Sequence, residues 1–228
     1  MYEFDTTLIL VDCGISFKQI KTKLNDYDLN VDGIDALIIT HEHSDHIKAL
    51  EQIIKRLDLD IYVAPKLARE LNIERYIDIF SVDMINNIPL TVLRTSHDAV
   101  DPIGIKWELN KPLVHITDTG YLPKQILDTC QDAYLYLIES NYDDQVIIEN
   151  DKYPFMLKQR IMSETGHLSN IDTNRYLLQL IGSNTKYILF AHLSPHNNTK
   201  DLVEKQNQDL DVEHKIVLSK DEVIEVRL

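Results

Sequence analysis

The sequence predicts an α/β protein in which apolar strands are covered by helices. Three observations predict it. Short apolar runs alternate with stretches of helical spacing. Inner runs such as Ala36 to Thr40 and Tyr187 to Ala191 are apolar almost throughout, as in strands buried on both faces. Residues suited to chemistry (Asp12, the run His41 to His46, His97, Asp118 and His192) each follow such a run. Loops at the carboxyl ends of strands are where α/β proteins place ligands, so five of them can build one site.

Taken in order, Thr7 to Val11 reads as a strand, broken by Asp12-Cys13-Gly14. Ser16 with Gln19 three residues on forms a capping box for a helix reaching about Leu24. Ala36 to Thr40 is a strand that delivers the histidine-rich run, and Ile47 to Leu57 has helical spacing. Further strands are expected at Ile61 to Ala64, Leu90 to Arg94, Ile103 to Leu109, Leu113 to Thr117, Leu135 to Glu139 and Tyr187 to Ala191. A closing pair is expected at Lys215 to Leu218 and Val223 to Leu228. Ser169 with Asp172 caps a helix running to about Ile181.

The 228 residues suffice for one substantial domain or two small ones. No repeat or linker-like stretch interrupts them, which predicts a single domain over 1–228. The apolar runs are strand-sized, far below the ~20 residues of a membrane span. No basic-then-apolar leader opens the chain, so a secretion signal is not expected. Cys13 and Cys130 make no Cys-x-x-Cys pair, which fits a reducing cytoplasm. The net charge of −14 counts against a DNA-coating module. It counts less against a nuclease, because bound cations invert the local potential.

The strongest motif is Thr40-His41-Glu42-His43-Ser44-Asp45-His46. Imidazole and carboxylate suit Zn, Mn or Fe, and no thiolate is present to close a structural zinc site. In extended chain His41 and His43 project to one side and can grip one ion. Asp45 and His46 lie where the chain turns into a helix and can reach a second.

This HxHxDH run resembles the hallmark of the metallo-β-lactamase superfamily. The resemblance implies a four-layer αβ/βα sandwich, two mixed sheets with outer helices. It implies two divalent ions, zinc first, with manganese or iron as alternatives. His41, His43 and His97 would hold one ion, Asp45, His46 and His192 the other, and Asp118 would bridge them. Asp12 would orient the metal-binding loop. Two ions ~3.5–4 Å apart acidify water and clamp a phosphoryl or acyl oxygen. His115, His196 and His214 read as structural or surface histidines.

Aspartate at 118, rather than cysteine or serine, argues against a β-lactamase. Gly166-His167-Leu168-Ser169 resembles the Gly-His-Ser/Thr element of RNase Z-like phosphodiesterases. There the histidine is a proton donor or phosphate contact; alternatively, His167 simply caps the following helix. With Asp45 it forms the catalytic expectation.

Segments along most of the chain resemble the YycJ/WalJ-type bacterial branch. They include Thr95 to Gly104, Thr117 to Tyr121, Glu139 to Asp143, Tyr153 to Ile161, Ala191 to Ser194 and Asn197 to Thr199. That branch implies a cytoplasmic 5′→3′ DNA exonuclease. Lys158 and Arg160 would neutralise phosphates, unless they are only a solvated helix face, and Asn141 and Asn198 would be polar contacts. The alternatives are a small-molecule phosphodiesterase or thioesterase on the same metals, or a catalytically idle regulatory partner. Two departures stand out. The branch usually opens with a strand and a Ser-Gly-Ser-type loop, whereas this sequence starts Met1-Tyr2-Glu3-Phe4-Asp5. Tyr142 stands where histidine is expected.

Overall fold

A computed structural model describes residues 1–219 and 222–227. Internal contacts divide the chain into two compact units: residues 1–92 with 99–103, and residues 93–98 with 104–228.

In the first unit β1 (Tyr2–Phe4) pairs antiparallel with β2 (Thr7–Val11). From β2 the sheet continues in parallel through β3 (Ala36–Ile38), β4 (Asp60–Val63) and β5 (Ile77–Asp78). Ile9, Leu37 and Ile38 are fully buried, as a run apolar on both faces requires. The capping box forms as read, and α1 (Phe17–Asn25) buries Ile20 and Leu24.

The helix expected over Ile47 to Leu57 is instead two: α2 (Ser44–Ile47) and α3 (Leu50–Arg56). Backbone competition breaks it. The amide of Cys13 takes the carbonyl of His46 at 2.7 Å, and the amide of Ala49 goes to the carbonyl of Cys13 at 2.9 Å. The loop leaving β2 is thus stitched into the helix where the ladder would have continued. Only glycine fits at position 14, because a Cβ there would lie 1.5 Å from the carbonyl oxygen of Asp45. After α4 (Pro65–Glu70), the strands β6 (Met84–Ile85) and β7 (Ile88–Arg94) pair antiparallel. Asn86 and Asn87 both have positive φ there, the requirement of a tight two-residue turn.

The second unit holds β8 (Ile103–Trp107), β9 (Leu113–Ile116), β10 (Leu135–Glu139), β11 (Tyr187–Ala191) and β12 (His214–Val217). Their order is β12-β11-β10-β9-β8, parallel except that β8 runs antiparallel to β9. Helices make the crossovers. α5 (Lys124–Thr129) precedes β10; α6 (Asp144–Glu149), α7 (Phe155–Ile161) and α8 (Asn170–Leu180) separate β10 from β11; α9 (Lys200–Gln206) precedes β12. Ile116, Ile138, Leu177 and Phe190 pack in its core. The buried Tyr136 hydroxyl accepts from the Ala133 amide and reaches the carbonyls of Cys130 and Leu180, so its burial leaves no polar deficit. The strand expected at Val223 to Leu228 is absent from residues 223–227, and Leu228 lies outside the described residues.

Candidate metal centre

In the first unit the histidine-rich run leaves β3 and is fixed by Asp12. Asp12 Oδ1 accepts from the Thr40 amide at 2.8 Å, and Oδ2 accepts from Thr40 Oγ1 and His46 Nδ1, both at 2.7 Å. Thr40 Oγ1, having donated its proton to Asp12, accepts from His41 Nδ1 at 3.0 Å. With Nδ1 protonated in both rings, Nε2 is the lone-pair nitrogen of His41 and of His46, as metal ligation requires. The rings of His43 and His46 lie 4.7 Å and 4.0 Å from that of His41. Asp45 stands exposed in the first turn of α2.

In the second unit the expected residues His97, Asp118, His167 and His192 come together. His97 Nδ1 donates to the carbonyl of Gly166 at 2.9 Å; a carbonyl only accepts, so Nε2 carries the lone pair. The His167 ring lies 4.9 Å from that of His97 and 5.3 Å from that of His192. Donor atoms of Asp118, Glu139, His167 and His192 all lie within 4.8 Å of one another.

Glu139, at the end of β10, organises this cluster, and sequence reasoning missed it as a site residue. Its side chain is fully buried. Oε1 accepts from His167 Nδ1 at 2.7 Å and from His192 Nδ1 at 2.8 Å; Oε2 accepts from the amides of Thr119 at 3.1 Å and Leu168 at 3.3 Å. One signal was available: Glu139 is a carboxylate ending an apolar strand whose neighbours β9 and β11 lead into Asp118 and His192.

Burial works to raise the Glu139 carboxyl, but the adjacent His167 and His192 imidazoles prevail and hold it well below the ordinary carboxylate range. Burial opposes charge on His167 too, and Glu139 overcomes it, so that imidazole is more basic than usual. His97 goes the other way, lowered chiefly by burial against the pull of Asp118.

Asp12, Asp118 and His192 all adopt left-handed backbone, with φ of 58°, 54° and 57°. Such residues cluster at functional sites. Glycine is again required beside Asp118, because a Cβ on Gly120 would lie 2.3 Å from the backbone of Glu164.

The cap of α8 is Ser169, whose Oγ accepts from the Asp172 amide at 3.1 Å, so His167 is not the cap. Asn141 donates to the carbonyl of His192 at 2.7 Å. Asn198 is turned inward, donating to the carbonyl of Ser140 at 2.8 Å and accepting from the Thr199 amide at 2.9 Å; it braces loops. Lys158 donates to the carbonyl of Ile148 at 2.6 Å, and Arg160 pairs with Asp98.

Nitrogen and oxygen donors with fixed tautomers fit a divalent ion of borderline or hard character. Neither cysteine competes: Cys13 and Cys130 are buried, and burial pushes both thiols up to about 12. No helix among the described residues is long and apolar enough to cross a membrane.

A family model described as a beta-lactamase superfamily domain matches residues 7–192, and the chain belongs to the metallo-β-lactamase superfamily. Within it, the chain is 34% identical over 206 residues to exodeoxyribonuclease WalJ of Streptococcus pneumoniae, covering 85% of this chain and 76% of that protein. It is 33% identical over 208 residues to exodeoxyribonuclease YycJ of Bacillus anthracis, covering 87% and 78%. The crystal structure of the metallo-β-lactamase fold protein YhfI from Bacillus subtilis superimposes with a TM-score of 0.72 at 19% identity. That match spans 97% of this chain and 88% of YhfI, and shows the shared fold.

Proposed function

We propose that this chain is a two-metal phosphodiesterase that degrades DNA from its 5′ end in the cytoplasm. The relatives named exodeoxyribonuclease supply the substrate class. One observation carries the chemistry: His167 held at 2.7 Å by the buried Glu139, beside Asp118 and His192. A thioester's thiolate can depart without a proton, whereas the departing alkoxide of a phosphodiester needs one, which an imidazolium held there supplies.

In this reading His41, His43 and His97 would hold one ion, Asp45, His46 and His192 the second, and Asp118 would serve both. Zinc is the first candidate, manganese or iron the others. When bound, the ions supply positive charge against the phosphoryl oxygens and acidify water. The chain's own residues do the rest. Asp12 locks Thr40 and His46, and through Thr40 the ring of His41, so the lone pairs are aimed before an ion arrives. Glu139 orients His167 and favours its protonated form, leaving the Nε2 proton for the leaving oxygen. Asn141 braces the backbone of His192.

The test offers metal-loaded protein 5′- and 3′-labelled DNA, RNA of the same sequence and a small chromogenic phosphodiester. Metal-dependent release of nucleotides from the 5′ end of DNA is expected. Turnover of the small diester with DNA left intact would discard the nuclease reading for a small-molecule phosphodiesterase. Inertness toward all of them would leave only a scaffold role.

A further inference from the structure

The nuclease reading leaves unexplained a helix whose leading apolar residues face solvent. None of the seven residues of α7 is buried, and Phe155 and Met156 are 70% and 73% exposed. The backbone carbonyl of Ile148, a residue 60% exposed near the end of α6, accepts from Lys158 of α7 at 2.6 Å. Large apolar side chains left exposed on one short helix mark a binding face.

This helix is tethered to the acid-base cluster. The amide of His167 donates to the carbonyl of Ile161 at 2.9 Å, the last residue of α7. Arg160 pairs with Asp98, the neighbour of His97, and the Asp98 amide donates to the carbonyl of Thr165 at 3.0 Å. Whatever rests on α7 is therefore held in register with His97 and His167.

Charge selects the occupant. In a chain of net charge −14, residues 152–162 carry no carboxylate, and with Arg160 paired to Asp98 they keep the charges of Lys152 and Lys158. Cations interleaved with an exposed aromatic suit a polyanion with flat apolar faces: phosphates for the cations, unpaired bases for the ring. We propose that α7 is a stacking platform for single-stranded DNA, with Phe155 against a base and Lys158 and Lys152 toward the backbone. This rests on the nuclease reading for its substrate and adds the surface that holds it.

The experiment separates the platform from the chemistry. Binding is read by fluorescence anisotropy of a labelled phosphorothioate oligothymidylate on the metal-loaded protein; turnover is read on the small chromogenic diester. Phe155→Ala should weaken oligonucleotide binding on the order of tenfold, a typical loss for one base–aromatic stack. It should leave diester turnover and melting temperature unchanged. Phe155→Trp should restore binding, and Phe155→Leu should not. Binding unchanged in Phe155→Ala, or rescued as well by leucine as by tryptophan, overturns the platform. So does a shift in oligomeric state of Phe155→Ala without a binding defect, which would make the face a contact between copies. If the parent binds the oligonucleotide through Phe155 yet cuts no DNA, the platform stands and the exonuclease reading falls.

Discussion

Glu139→Gln replaces one oxygen of a buried carboxylate by an NH2 group and barely changes the side chain's volume. The carboxylate accepts from four N–H groups, two imidazoles on Oε1 and two backbone amides on Oε2. Glutamine has one accepting oxygen, so one pair of donors must face its NH2. If that pair is Thr119 and Leu168, neither can change its chemistry. Two buried donors left unsatisfied cost about 1–3 kcal/mol each, or about 2–6 kcal/mol together. If the pair is His167 and His192, both rings can accept by moving the proton from Nδ1 to Nε2. His192 then presents an N–H where a ligand needs a lone pair. The variant must therefore lose either stability or metal. Urea unfolding of chelated protein reads the first and elemental analysis the second. The sign with pH follows from the two shifts. Glu139, held low, contributes above its unfolded value near ~4.3, and that contribution is lost as pH falls through the folded one. His167, held high, contributes fully below ~6.5 and loses it as pH rises through its folded value. The gap between parent and variant in metal-free protein should thus be widest at about pH 4.3–6.5 and narrow on both sides. A variant that unfolds within about 0.5 kcal/mol of the parent, the noise of a surface substitution, and keeps its metal would refute this account of the cluster.

Elemental analysis of metal-loaded protein should find two divalent ions per chain and fewer in Asp118→Asn; a parent that stays at zero or one rules out the two-ion reading. His167→Ala should keep its ions yet lose on the order of 10²–10⁴-fold in turnover, and undiminished turnover would reduce His167 to scaffolding. Burial holds Cys13 and Cys130 near 12, so both should resist iodoacetamide at pH 8 in the native protein and react once it is denatured. Rapid labelling of the native chain would contradict their burial.

Thr7–Val11, Leu135–Glu139 and Tyr187–Ala191 were readable residue for residue, since each is an apolar run stopped by polar residues. The break between α2 and α3 was not, because it comes from the backbone of Cys13, distant in sequence. Helices α4 to α7 and α9 have six or seven residues, too short for a periodic pattern to stand out. At the site, the close-set donors of residues 41–46 were legible because their spacing is local. Glu139 was not, since its importance arises only when β10 lies between β9 and β11. Asn198 illustrates the converse: a polar residue in a suggestive segment whose hydrogen bonds all turn inward in the fold.

The left-handed backbone at Asp12, Asp118 and His192 shapes how a mutational scan of this protein must be read. Alanine at these positions removes the functional group and still keeps a Cβ in a conformation that costs an ordinary L-residue roughly 1–2 kcal/mol. Scored by cellular abundance, glycine and asparagine should outrank alanine at all three, with valine and isoleucine last. Scored by activity, that ranking should collapse, because none of these replacements restores an imidazole or a carboxylate. Comparing the two scores position by position separates intolerance imposed by the turn from intolerance imposed by the chemistry, which a single alanine series merges.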